Sequence, residues 1–184
     1  MPVLTPTDLA TERLILRWVD ERDTAAQFAI FSDPDVTRYW SGAAWTDMAQ
    51  AEKSIAAAQE DYAAGSALRL GVVLAATGEM IGNVNLHHFS DQSRRCELGY
   101  ALASAHWGRG YAQEALRAAL GYGFRELDLN RVEADIDPRN EASGRVLEAL
   151  GFRKEGYMPE RWIVHGETAD TVFYGLLRKY WDER

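Results

Sequence analysis

Three groups of residues in this sequence have the types and spacing that chemistry needs. The first is Trp107-Gly108-Arg109-Gly110-Tyr111-Ala112, directly ahead of a long segment of helical periodicity. Glycines let the backbone turn tightly and approach a ligand closely. A helix starting there offers free N–H groups and a positive dipole end. Together these make a site for a phosphate or pyrophosphate, and Arg109 adds a direct charge. A ligand-free strand-to-helix turn would use the same residues, so the loop alone does not decide. It is not a Walker loop, since no Gly-Lys-Ser/Thr follows. It is not a dinucleotide fingerprint, since the strand before it belongs to a meander.

The second group is Asn140 and Ser143, three apart and so neighbours on one helical face. An amide and a hydroxyl there can hydrogen-bond a polar ligand. They can also serve the helix itself, as an N-cap and as a hydroxyl bonded to its own backbone. The third is Glu97, at the start of a strand. Partly buried, its carboxyl would have a raised pKa suited to proton transfer. Solvated, it would pair with Arg94 or Arg95. Glu160 and Glu167, in the loops before the last strand, are further carboxylates, either of which could serve as base or as substrate anchor.

The remaining reactive types read as structural. His87 and His88 are adjacent in a strand, so alternation sends them to opposite faces and away from a shared metal. His106 and His165 stand singly. No His-x-x-x-His or Cys-x-x-Cys spacing occurs, so no metal site is expected. Cys96 is the one cysteine, so no internal disulfide forms, and it reads as a small buried residue.

These groups must be positioned by secondary structure. Arg13 to Trp18 is a short β-rich run. Asp20 to Phe31 reads as a helix, and Asp33-Pro34-Asp35 as a breaker. Thr46 is expected to cap a second helix, with Met48, Ala51, Ile55, Ala58 and Tyr62 on one face and Gly65 at its end. Leu68 to Ala75, Met80 to His88 and Arg95 to Ala103 then read as an antiparallel meander. Ala112 to Leu127 is the clearest helix. Arg131 to Asp137 is a strand, and Pro138 suits the first position of a helix ending at Gly151. Phe152 to Tyr157 and Ala169 to Leu177 are the final strands. The order β-α-α-β-β-β-α-β-α-β-β predicts an α/β fold around a single mixed, mostly antiparallel sheet flanked by helices.

Composition narrows the function. Of 184 residues, 47% are apolar and 26% charged, a globular balance. Neither repeats nor linker-like tracts occur, so residues 1–184 are expected to form one domain. Twenty basic residues against 28 acidic ones give a net charge of −8. That charge disfavours nucleic acid and anionic membrane, and favours cations such as amines. The first residues lack a signal-peptide pattern, and no apolar run is long enough to span a bilayer, so a cytoplasmic location is expected.

The run Glu97-Leu-Gly-Tyr-Ala-Leu102 to Trp107-Gly-Arg-Gly-Tyr-Ala-x-Glu114-Ala resembles the acetyl-CoA signature of the GCN5-related N-acetyltransferases (GNAT). It is most similar to their Rim-type branch, which acetylates ribosomal-protein N-termini. Thr11-Glu-Arg-Leu-Ile-Leu-Arg17 resembles that branch's opening strand. Asn140-Glu-Ala-Ser143 through Gly151-Phe152-x-x-Glu155-Gly156 resembles its second cofactor motif, and Asp170-Thr-Val-Phe-Tyr-Gly-Leu-Leu177 its last strand. Four pieces in the right order cover nearly the whole chain. The departure is Trp107, where many members carry Gln or Arg.

The resemblance implies a GNAT-like fold and acetyl transfer from acetyl-CoA to a primary amine by direct attack. The most favoured acceptor is a protein or peptide N-terminus. Polyamines, aminoglycoside-like drugs and amino-acid analogues are the alternatives. The pantetheine arm would pair with the strand around Tyr100 to Leu102, where the family's sheet splays. The N–H near Leu102 would face the oxyanion. The pyrophosphate would rest on Arg109, Gly110, Tyr111 and Ala112. Asn140 would bind the pantetheine amide, and Ser143 would protonate or hydrogen-bond the thiolate. Glu97 leads as base, with Glu160 and Glu167 behind it. Tyr39, Trp40 and Trp162 would line the acceptor slot and favour a cation. The branch often forms dimers, which leaves a homodimer open. Two rival readings remain: a non-catalytic acyl-CoA sensor, and a plain nucleotide-phosphate binder.

Overall fold

A computed structural model of the chain describes residues 3–164 and 166–182. Its strands are β1 (Leu9–Ala10), β2 (Leu14–Trp18), β3 (Ala67–Leu74), β4 (Met80–Ser90), β5 (Arg95–Leu102), β6 (Arg131–Ile136), β7 (Arg153–Val164) and β8 (Glu167–Leu177). They form one sheet in the order β1-β2-β3-β4-β5-β6-β8-β7. All pairings are antiparallel except β5 with β6. The helices are α1 (Thr24–Phe31), α2 (Pro34–Thr37), α3 (Met48–Ala64), α4 (Tyr111–Arg125), α5 (Glu141–Ala149) and α6 (Arg178–Asp182). The expected α/β architecture and element order hold, with β1, α2 and α6 as short additions.

The local chemistry explains most boundaries. Asp47, not Thr46, caps α3, because its carboxylate accepts from Ala49 N while Gln50 reaches back in a capping box. Gly65 ends α3 at φ 67, the left-handed position that favours glycine. Asp33-Pro34-Asp35 is a start rather than a breaker: Asp33 caps and Pro34 opens α2. Pro138 does not open α5. Asp137 instead accepts from Arg139 N at 2.8 Å in a turn, and the helix begins after Asn140. The last hairpin is longer than expected, so Glu160 lies within β7 and Glu167 opens β8, rather than both lying in loops.

Two features of β5 position everything that follows. Its parallel pairing with β6 covers only Arg95 to Glu97, opposite Arg131 to Glu133. Beyond Glu97 the strands part, and β6 continues against β8 alone. The second feature is alternation. Tyr100 points toward α5, where its hydroxyl meets Ser143. Ala101 points the opposite way, into a cluster with Ile30 of α1 and Val36 of α2. Helices α4 and α5 therefore lie over one face, and α1 lies over the other. Gly82 of β4 lets β5 approach: a Cβ there would overlap the Leu102 side chain and the Ala101 carbonyl.

Candidate active site

The glycine loop has the geometry its sequence promises. Gly108 has φ 72 and Gly110 has φ 80, and Gly110 is the N-cap of α4. Gly110 has no side chain to cap the first turn, so the N–H groups at the start of α4 face outward from an exposed loop. A network not foreseen from the sequence holds the loop. Arg13 donates to the Arg109 carbonyl at 2.9 Å and stacks over the Tyr111 ring at 4.6 Å. Glu114 fixes Arg13 in turn, accepting from its backbone N–H at 2.8 Å and its Nε at 2.7 Å, and from Thr11 Oγ1 at 2.6 Å. Both residues stood inside the quoted motifs, but nothing in their spacing revealed that they pair. Trp107 has its own role: its indole N–H donates to the Leu102 carbonyl at 2.8 Å, tying the loop to the end of β5.

The parted edge of β5 runs from this loop toward Glu97. Ala103 N–H donates to Ile81 on the β4 side. Alternation then turns the peptide groups of Tyr100 and Leu102 away from β4, into the gap left by β6. Across that gap stands α5. Asn140 caps it by accepting from Ser143 N at 3.2 Å. The Ser143 hydroxyl lies 2.7 Å from the Tyr100 hydroxyl. Burial pushes the Tyr100 phenol up to about 12, so it stays protonated and can donate. The sequence placed Tyr100 here for its backbone; its side chain was overlooked.

Glu97 lies on the other face. Neither arginine named as its partner pairs with it: Arg95 holds Glu133 at 2.8 Å and Arg94 holds Asp128 at 2.9 Å. Glu97 instead meets His88 Nδ1 at 3.0 Å. The expectation that His87 and His88 face apart fails here. The register slips between His87 and Ser90, and His88 adopts φ 52. This bulge breaks the alternation and brings the two rings to 4.6 Å between centroids. Burial lowers the pKa of His87, helped by His88 and Arg69 and opposed by Glu97 and Asp135, so its ring is neutral near pH 7.

The aromatic wall divides. Trp40 packs edge-on to Phe31 at 5.2 Å, and Trp45 lies 4.8 Å from the same ring, so both serve the α1–α2 cluster. Tyr39 and Trp162 stay accessible, but arginines already stand over them. Arg38 and Arg139 lie 5.3 and 5.9 Å from Tyr39, and Arg161 lies 5.0 Å from Trp162. The cation expected on these rings is thus supplied by the chain itself. Cys96 is fully buried and its thiol is pushed up to about 12 by burial, which leaves it inert. His106 meets Glu79 at 3.3 Å, and His165 lies outside the described residues. Glu160 and Glu167 are exposed on β7 and β8.

Comparison with known proteins bears on the family and the fold. The family profile described as an acetyltransferase (GNAT) domain matches residues 13–153. An uncharacterized N-acetyltransferase of Bacillus licheniformis is 35% identical over 93% of this chain and 96% of its own length. The [ribosomal protein uS5]-alanine N-acetyltransferase of Escherichia coli is 31% identical over 94% of this chain and 92% of its own. A spermidine N-acetyltransferase from Vibrio cholerae, solved with CoA and spermine, shares the fold with a TM-score of 0.83. It is 22% identical and covers 93% of this chain and 99% of its own.

Proposed function

The chain belongs to the GNAT family of acetyl-CoA-dependent N-acetyltransferases, and we propose that its acceptor is the N-terminal amine of a peptide or protein. The observation that supports acetyl-CoA use is the parted β5 edge. It runs between the uncapped start of α4 and the hydroxyl pair that Tyr100 of β5 makes with Ser143 of α5. Pyrophosphate on the N–H groups of Arg109 to Ala112 and a pantetheine arm along β5 fit that layout.

The hydroxyl pair also sets where the chemistry occurs. A hydroxyl that protonates the thiolate must lie within hydrogen-bond reach of the sulfur. On that requirement the thioester would lie beside Tyr100 and Ser143, with the Tyr100 N–H, two residues before Leu102, as the proposed oxyanion donor. Leu102 suits the arm instead, with its carbonyl already taken by Trp107. Leu102 is also five residues from Glu97, about 17 Å along a strand, whereas Tyr100 is about 10 Å away. Glu97 would take the amine proton through water. The amine nitrogen attacks the carbonyl carbon, the C–S bond breaks, and the thiolate takes a proton from the Tyr100–Ser143 pair.

Two observations favour a peptide over a polyamine. Arginines occupy the aromatic faces that would hold a second ammonium. The uS5-alanine enzyme is also the closer of the two named comparisons in sequence. The test is acetyl-CoA turnover on a panel of Ala- and Ser-starting peptides, spermidine and an aminoglycoside. A peptide preference of tenfold or more in kcat/KM is expected; an equal preference for spermidine refutes the acceptor. Tight acetyl-CoA binding without turnover on any amine refutes catalysis. Ser143→Ala and Tyr100→Phe are each expected to lower kcat tenfold or more with little change in acetyl-CoA affinity. A change in affinity alone would make the pair a binding feature.

A further inference from the structure

The slip that ends the β4–β5 pairing gathers two imidazoles onto one carboxylate. His87 and Glu97 are cross-strand partners, and the φ 52 backbone of His88 folds its ring back beside them. One ligand atom from each of His87, His88 and Glu97 lies within 4.8 Å of the other two. We propose that these three residues bind a divalent transition metal of the zinc class, and that metal bound there blocks acetyl transfer. The blocking half rests on the reading of Glu97 as base, because the metal would occupy that carboxylate.

Two imidazoles and one carboxylate are a donor set for zinc, cobalt or nickel rather than for magnesium or calcium, which take oxygen ligands. Tetrahedral zinc with bonds of roughly 2.0–2.1 Å holds its ligand atoms about 3.3 Å apart. The three side chains must therefore close by about 1.5 Å at most. The freedom exists where it is needed, since the His88 and Glu97 side chains are 72% and 33% exposed. The same exposure opens a route for the ion and leaves the fourth position to water. Histidine in the left-handed region is uncommon and carries backbone strain. Here that strained residue is the one that completes the ligand set.

The test uses cobalt(II) as probe, with the visible absorption of a tetrahedral site as readout and zinc as competitor. His88→Asn keeps a residue type that tolerates positive φ, and Glu97→Gln keeps the side-chain shape. Circular dichroism checks that both variants fold. Wild type is expected to bind one cobalt per chain, displaced by zinc, with affinity at least tenfold weaker in each variant. Binding of equal strength in wild type and both variants overturns the site, as does no binding by wild type. Acetylated amine is measured in parallel. Zinc is expected to inhibit wild type, at a tenfold higher concentration for His88→Asn. Cobalt bound by the three residues with turnover untouched overturns the blocking half, and with it Glu97 as base, while the metal site stands.

Discussion

Replacing Glu114 by alanine tests whether the phosphate loop is held from outside itself. Glu114 is a first-turn residue of α4 whose side chain is 16% exposed, and Arg13 is 43% exposed. The substitution removes acceptors for Thr11 Oγ1, the Arg13 backbone N–H and the Arg13 guanidinium. A hydrogen bond to a charged group is worth roughly 1.5–3 kcal/mol, but the guanidinium part is discounted for solvent screening. The two bonds to Thr11 and the Arg13 backbone dominate, and the loss is about 3 kcal/mol. For a chain of this size that lowers Tm by roughly 6–12 °C. Arg13 also loses its anchor beneath the Arg109 carbonyl, so acetyl-CoA affinity is expected to fall about tenfold. The assay is a double-mutant cycle with Arg13→Ala, read by denaturant unfolding and by acetyl-CoA titration. A coupling of about 1–2 kcal/mol is expected in both. Additive effects would show that the two residues act separately.

The same carboxylate predicts a pH dependence. Burial pushes the Glu114 pKa up, but hydrogen bonds from Thr11 and Arg13 outweigh it and hold the group below its ordinary value. Its contribution is therefore complete above pH ~4.3 and lost as pH falls through the folded value, so the stability gap to Glu114→Gln should narrow in acid. Gly110→Ala should cost roughly 1–2 kcal/mol of strain at φ 80 and weaken acetyl-CoA binding, measured by calorimetry; unchanged affinity would move the pyrophosphate elsewhere. Gly82→Ala should push β5 from β4 and destabilise the fold by roughly 2 kcal/mol or more in urea unfolding, and a neutral effect would contradict the close approach. Trp107→Phe keeps the ring and loses the bond to Leu102; an affinity loss of about 2–10-fold is expected, and none would make that tie dispensable.

Element order was legible because hydrophobic period is a local property. The face of α4 and the glycine that ends α3 can be read from a few neighbours in the chain. Local conformation at the candidate site was legible where one segment sets it, as at the left-handed Gly108 and Gly110 and at Asn140, which caps the helix carrying Ser143. It was not legible where two distant segments meet. Thr11 and Arg13 lie more than a hundred positions from Glu114, and no periodicity links them. Tyr100 and Ser143 pair only because β6 turns away after Glu133, a tertiary event that leaves room for α5. The histidine pair failed for a different reason. Alternation assumes regular φ, and one residue at φ 52 is enough to undo it.

The division of labour on β5 follows from that same alternation. Even positions carry Tyr100 to the side of α5 and Ser143, while odd positions carry Glu97 to the side of His87 and His88. In the proposed reaction a proton leaves the amine and another reaches the sulfur, and the two transfers need groups of opposite affinity for it. A phenol pushed up to about 12 by burial stays protonated and would donate a hydrogen bond to a thiolate formed beside it. The Glu97 carboxylate is free of both neighbouring arginines and meets His88 instead, so it is the proposed acceptor of the amine proton. In the proposed reaction one strand would thus separate acid from base by its two faces, with the backbone between them meeting the carbonyl. The net charge of −8 fits the same arrangement, since the proposed phosphate loop would draw on backbone N–H groups and Arg109 rather than on a basic surface.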